Sequence, residues 1–179
     1  MWDGKEGSNM NILFYALIVF LSYLLGCSNM ALYLSKLKGV DMRAGGSKNL
    51  GASNAMVLMG WRFGVLVGIH DIGKAVLAVA LARHFAGYLP GITAAAGVAC
   101  VLGHIFPFYL RFRGGKGFAS YLGMTLALNW KFALIVLLIV VLVTFISDYI
   151  VVGTVTTVLI VPAYTALTGS LLLAAILSL

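Results

Sequence analysis

Apolar residues fill this chain in long unbroken blocks, and the polar residues gather between them. No charged residue occurs from Gly7 to Ser35, from Phe85 to Leu110 or from Tyr149 to Leu179, runs of 29, 26 and 31 residues. A helix crosses the hydrocarbon core of a bilayer with about 20 apolar residues. The pattern predicts an all-α fold: a polytopic membrane helix bundle of about seven transmembrane helices, over 11–36, 61–83, 91–110, 117–130, 132–147, 149–167 and 169–179. The segment 117–130 is short for a crossing, roughly 21 Å at about 1.5 Å per residue. Pro162 predicts a kink in the sixth helix.

Composition agrees with a membrane class. Of 179 residues, 62% are hydrophobic and 9% are charged, whereas a soluble domain carries about 25% charged residues. A single integral membrane domain over 1–179 is expected. The first apolar run is long and no small-residue cleavage site follows it, so it reads as a retained helix rather than a cleaved signal. Cys27 and Cys100 sit inside apolar runs without metal-ligand spacing and read as packing residues.

The net charge of +7 raises nucleic acid as a partner, but its distribution argues against it. Lys36, Lys38, Arg43, Lys48 and Arg62 form one basic stretch, and Arg111, Arg113 and Lys116 another. Basic loops of this kind face the cytoplasm. That places the N-terminus outside and, after seven crossings, the C-terminus inside.

Two of these loops carry candidate chemistry. The first runs Gly45-Gly46-Ser47-Lys48-Asn49-Leu50-Gly51-Ala52-Ser53-Asn54. Glycines let backbone amides converge on an anion, and Ser and Asn add neutral donors. The alternative is an ordinary polar turn that caps the next helix. The second runs from Gly103-His104-Ile105-Phe106-Pro107 into Arg111-Phe112-Arg113-Gly114-Gly115-Lys116-Gly117. A Gly-Gly-Lys-Gly turn before a helix can aim free amides and an ammonium at one anion; a flexible basic turn is the plainer reading. His104 lies near this loop and can donate to a phosphate, move a proton or cap a helix end. His84 falls on the opposite side, and His70 is ambiguous.

Asp71 and Lys74 lie in the second predicted helix, three residues apart and on one face. Charges inside a span face the bundle interior or a wet cavity, as a structural pair or as catalytic groups. Gly68 to Ala75 resembles a nucleotide-binding loop, but Ala75 replaces the required hydroxyl and no strand precedes it. There is no G-x-S-x-G elbow and no His followed five residues later by Asp. Five acidic residues leave little for a two-metal site. No metal and no organic cofactor are expected.

The two loops in this order resemble the bacterial acyl-phosphate:glycerol-3-phosphate acyltransferase family, membrane enzymes of seven helices. The family's GSGNIGATN is matched by Gly46-Ser47-Lys48-Asn49-Leu50-Gly51-Ala52-Ser53-Asn54, and its GHxFPxxxxFKGGKG by Gly103 through Gly117. Tyr23-Leu24-Leu25-Gly26 and Asp71-Ile72-Gly73-Lys74 fit as well. The resemblance implies transfer of a fatty acyl group from acyl phosphate to the 1-hydroxyl of glycerol 3-phosphate, giving lysophosphatidic acid and phosphate, the first step of phospholipid synthesis. It implies a bacterial cytoplasmic membrane location with the site on the cytoplasmic face. The partners expected are acyl phosphate, glycerol 3-phosphate and the lipid bilayer; the oligomeric state stays open. It assigns catalytic roles to Ser47, His104 and Lys116. Substrate binding falls to Gly46, Ser47, Asn49, Gly51, Asn54, Arg113, Gly114, Gly115, Lys116, Gly117 and Thr154.

Three departures from the family pattern stand out. Val57 occupies a position that is usually Arg, with Arg62 five residues further on. The third family region reads Asp148-Tyr149-Ile150-Val151-Val152-Gly153-Thr154, which leaves Thr154 as its hydroxyl. The family's basic tail with a His and an Asn is missing, so the chain is expected to be truncated or a catalytically impaired member. A membrane binding or transport protein for a small phosphate ester is the remaining alternative, weakened by the lack of internal repeats.

Overall fold

The computed structural model describes residues 4–167, and among these the regular elements are all helical. They are α1 (Gly4–Cys27), α2 (Met30–Lys38), α3 (Ala52–Met59), α4 (Trp61–Ala86), α5 (Ile92–Ile105), a 3₁₀ turn (Phe108–Leu110), α6 (Phe118–Leu128), α7 (Trp130–Ser147) and α8 (Ile150–Leu167). The predicted helix 169–179 lies outside the described residues. Four stretches are long and apolar enough to cross a membrane: Ser8–Lys38, Trp61–Ala86, Ile92–Leu110 and Trp130–Ser147. Phe118–Leu128 and Val151–Tyr164 are shorter apolar helices.

The first predicted helix, 11–36, is two helices. Asn29 separates them, with φ −132° and ψ 99° and with its Oδ1 accepting from Leu32 N at 2.8 Å. An Asn at this position satisfies a free amide of the helix that follows, and so favours a new start over continuation. The loop expected over 37–60 contains α3, bounded by Gly51 and Gly60. The helix expected over 91–110 stops at Ile105, because Pro107 cannot donate to the helical ladder. The first helix starts earlier than expected, at Gly4 rather than 11, and α4 runs on to Ala86 rather than 83; the boundaries of α6, α7 and α8 agree within about two residues.

The chain divides into two compact units, Met1–Met124 and Thr125–Leu179. In the first unit, α5 packs on α1 and α4, and α3 packs on α4. The α1–α5 crossing is close because both helices present glycine there. A methyl on Gly26 would overlap the Cys100 carbonyl, and one on Gly103 would overlap the Tyr23 carbonyl. Small residues permit such an approach, and packing rather than water exclusion then holds the helices together in lipid. One apolar cluster contains Ala31, Met42, Leu50, Ala55 and Val67, and a second Ala82, Ala86, Leu89, Ile92 and Ala96. Along α4, Asp71 and Lys74 fall between the residues of the two.

In the second unit α7 packs on α8, and Phe132 stacks on Tyr164 with ring centroids 3.9 Å apart. Asn129 caps α7 by accepting from Phe132 N at 3.1 Å.

Candidate active site

Asn54 organises the first loop. It is 1% exposed. Its Nδ2 donates to Met42 O at 2.8 Å, Asn49 O at 3.0 Å and Gly45 O at 3.4 Å, and its Oδ1 accepts from Ser47 N at 2.9 Å. Gly46 turns at φ +58°, where a Cβ would overlap Asn54 Oδ1, and Lys48 follows at φ +56°. The loop is therefore wrapped around one buried amide. Ser47 is exposed and Asn49 and Gly51 are half-buried. Among the described residues, the Ser47 hydroxyl and the Asn49 side-chain amide take no hydrogen-bond partner, so both are uncommitted.

The second loop begins where α5 ends. Pro107 O accepts from Leu110 N at 3.0 Å and from Phe112 N at 3.2 Å. Arg111 and Phe112 both lie in the left-handed region, at φ +54° and +58°. Each costs roughly 1–2 kcal/mol for a residue with a Cβ. Backbone held in this way is found where surrounding contacts over-determine it. The chain then folds back under α5: Gly114 N donates to Ile105 O at 2.8 Å and Gly115 N to His104 O at 3.1 Å. Methyl groups on Gly114 and Gly115 would overlap the His104 carbonyl and His104 Nε2 respectively. The two glycines are the reason the loop can lie this close. Lys116 is exposed, and among the described residues it makes no ion pair.

The loops meet. Arg43 Nη2 donates to Arg113 O at 2.5 Å, and a Cβ on Gly115 would come within 3.0 Å of Leu50 O. Arg43, Ser47, Lys48 and Lys116 are all exposed on or beside these joined loops.

Beneath them lies a buried polar cluster. Asp71, Lys74 and His104 are 2%, 4% and 3% exposed. Lys74 Nζ is 3.0 Å from Asp71 Oδ1, 2.8 Å from His104 Nδ1 and 2.7 Å from Ser28 O. His70 Nδ1 is 3.3 Å from Asp71 Oδ1, and His70 Nε2 is 3.0 Å from Ser28 Oγ. The gap between α1 and α2 makes the Ser28 carbonyl available, and Tyr109 OH donates to the neighbouring Cys27 O at 2.6 Å. Tyr23 OH donates to Phe106 O at 2.7 Å and ties the end of α5 to α1.

The structure therefore brings Gly46, Ser47, Asn49, Gly51, Asn54, His104, Arg113, Gly114, Gly115, Lys116 and Gly117 into one unit. Thr154 lies on α8 in the other unit, where its hydroxyl donates to Val151 O at 2.8 Å. Val57 is exposed on α3, and Arg62 sits over the Trp61 ring at 5.6 Å. Sequence reasoning missed Asn29, the bond from Arg43 to Arg113 O and the junction of Asp71 and Lys74 with His104. The one available signal was a charged pair inside an apolar span. Among the described residues no group of His, Cys, Asp or Glu is placed to hold a metal ion.

The model of the glycerol-3-phosphate acyltransferase family matches residues 16–179. The chain belongs to this family. Glycerol-3-phosphate acyltransferase 1 of Oceanobacillus iheyensis is 34% identical over 79% of this chain and 72% of its own length. The family member of Pseudomonas entomophila is 44% identical over 66% of this chain, and the alignment spans 62% of that relative. Among solved structures, PlsY (YgiH), an integral membrane glycerol 3-phosphate acyltransferase in its glycerol 3-phosphate form, is similar with a TM-score of 0.84. The two are 30% identical, and the likeness covers 92% of this chain and 84% of that one. The lysophosphatidic acid form of the same enzyme gives a TM-score of 0.80 at 29% identity, covering 91% of this chain and 85% of that one. A bacterial integral membrane protein of the same helical architecture is the common frame.

Proposed function

We propose that the paired loops bind the phosphate groups of acyl phosphate and glycerol 3-phosphate and that the chain transfers the acyl group between them. The observation that carries this reading is the junction itself. Two glycine-rich loops are joined through Arg43 and Arg113, and they present uncommitted Ser47, Asn49 and Lys116 side chains. Both substrates carry phosphate, so two adjacent cationic loops have two anions to hold. Membership of the family and likeness to an enzyme solved with glycerol 3-phosphate and with lysophosphatidic acid support the substrates.

In the reaction the 1-hydroxyl oxygen of glycerol 3-phosphate forms a bond to the acyl carbonyl carbon. The bond from that carbon to the phosphate oxygen breaks, and inorganic phosphate leaves. The hydroxyl proton passes to a phosphate oxygen of the substrates. Acyl phosphate is already activated, so positioning and charge stabilisation supply the rate. Ser47, Asn49 and the glycines of the first loop hold one phosphate; the Lys116 ammonium, with the amides of Lys116 and Gly117, holds the other or the developing oxyanion, because the Gly114 and Gly115 amides are committed to Ile105 O and His104 O. Asn54 and His104 are buried beneath and shape the loops. The chain crosses the inner membrane seven times with its N-terminus outside, so that the basic loops face the cytoplasm.

The test is release of phosphate by the purified protein in detergent, given acyl phosphate and glycerol 3-phosphate. Ser47→Ala and Lys116→Ala should each lower the rate by about 100-fold, the scale of one lost transition-state donor. Release unchanged by both substitutions would refute the site.

A further inference from the structure

Lys74 is buried, and its ammonium has three protons to place. The structure offers it three acceptors: Ser28 O at 2.7 Å, His104 Nδ1 at 2.8 Å and Asp71 Oδ1 at 3.0 Å. The count closes only if His104 Nδ1 is bare. A proton on Nδ1 would set two donors against each other in a buried site, where an unsatisfied donor is costly. The other route for Nδ1, donation to Asp71 Oδ1, is longer at 3.4 Å, and Asp71 is already paired with Lys74. A ring nitrogen whose partner nitrogen is engaged as an acceptor carries the proton. In His104 that nitrogen is Nε2, the atom that lies against Gly115 in the second loop.

We propose that Lys74 is a positioning residue: by donating to His104 Nδ1 it holds the ring in its Nε2–H form and makes the loop-facing edge of His104 a permanent donor. Asp71 and the Ser28 carbonyl hold Lys74 in place to do so. His104 then cannot take the proton of the glycerol 3-phosphate hydroxyl through Nε2. It presents positive polarity to the loop assigned to a phosphate. Only the consequence for turnover rests on the acyltransferase reading; the protonation pattern stands by itself.

The experiment is nitrogen-15 NMR of histidine-labelled full-length protein in detergent at neutral pH, with the His104 signals assigned by comparison with His104→Gln. The wild type should show a protonated Nε2 and a bare Nδ1. Lys74→Met removes the donor, and the pattern should invert, with Nδ1 protonated and donating to Asp71. Lys74→Gln retains an N–H donor on a slightly shorter side chain, which reaches His104 Nδ1 with a small shift, and should keep the wild-type pattern. Both substitutions leave Asp71 without its ammonium, so their difference isolates the donor. A protonated Nδ1 in the wild type, or an unchanged pattern in Lys74→Met, overturns the proposal; the wild-type spectrum alone can do so if a variant fails to fold. At saturating substrates kcat should be roughly 100-fold lower in Lys74→Met than in Lys74→Gln, the scale of one preorganised donor. Equal kcat in the two variants, with the tautomer inverted, overturns the link to turnover. Phosphate release that ignores Ser47 and Lys116 refutes the substrate site and leaves the tautomer result intact.

Discussion

Gly115→Ala adds one methyl group at the place where both loops and the buried cluster touch. Gly115 is not in the left-handed region, so alanine meets no backbone penalty and the whole effect is contact. The methyl would overlap His104 Nε2 and Cε1 and come within 3.0 Å of Leu50 O. None of these neighbours yields easily: His104 is 3% exposed and tied to Lys74, and Leu50 is 2% exposed in the apolar cluster. Overpacking a site of this kind costs about 1–3 kcal/mol, and relief comes from lifting the second loop away from α5. A displacement of about 1 Å at a reacting centre costs about 100-fold in rate. The expected result is a loss of about that size in phosphate release at saturating substrates, with a drop in melting temperature in detergent. Gly73→Ala is the control. It lies on the exposed side of α4, and a Cβ there meets nothing within 4 Å. Alanine in a helix interior is favoured over glycine by about 0.5–1 kcal/mol, so Gly73→Ala should melt no lower than the wild type. If Gly115→Ala keeps the wild-type rate and melting temperature, the loop does not seat on His104 as described.

Asn54→Ala should destabilise the protein by about 3 kcal/mol, because it leaves Ser47 N and two or three carbonyls without partners; thermal unfolding in detergent measures it, and a change below about 0.5 kcal/mol would contradict the buried network. Gly26→Leu should prevent the α1–α5 crossing, since even a methyl overlaps the Cys100 carbonyl. Little monodisperse protein should survive size-exclusion chromatography, and a normal yield of active protein would show that the crossing is looser.

The apolar stretches were legible because hydropathy is a local property: 61–83, 132–147 and 149–167 lie within a few residues of α4, α7 and α8. The density of Gly, Ser and Asn marked the first loop, and glycines among Arg and Lys marked the second, for the same reason. What escaped the sequence depends on distant partners. Asn29 starts α2 while its Nδ2 donates to Leu50 O at 3.4 Å, a carbonyl 21 residues away. Asn54 read as a ligand for substrate, yet its amide is consumed by Met42, Gly45 and Asn49. Asp71 and Lys74 were visible as a pair, but the third member, His104, arrives from α5 only once α4 and α5 have packed. Arg43 looked like one more basic residue on the inner face until its bond to Arg113 O joined the loops.

The gap between α1 and α2 has a consequence for how the protein is made. The Cys27 and Ser28 carbonyls lie inside the apolar stretch Ser8–Lys38, and their donors are Tyr109 and Lys74. Both donors are synthesised later. A first segment released alone into lipid would carry these carbonyls without partners, and each bare polar group in hydrocarbon costs several kcal/mol. The nascent segment is therefore better retained at the insertion machinery, or as an unbroken helix, until α4 and the end of α5 emerge. The break between α1 and α2 beneath the candidate site is thus satisfied by residues that the ribosome has not yet made when the first helix emerges.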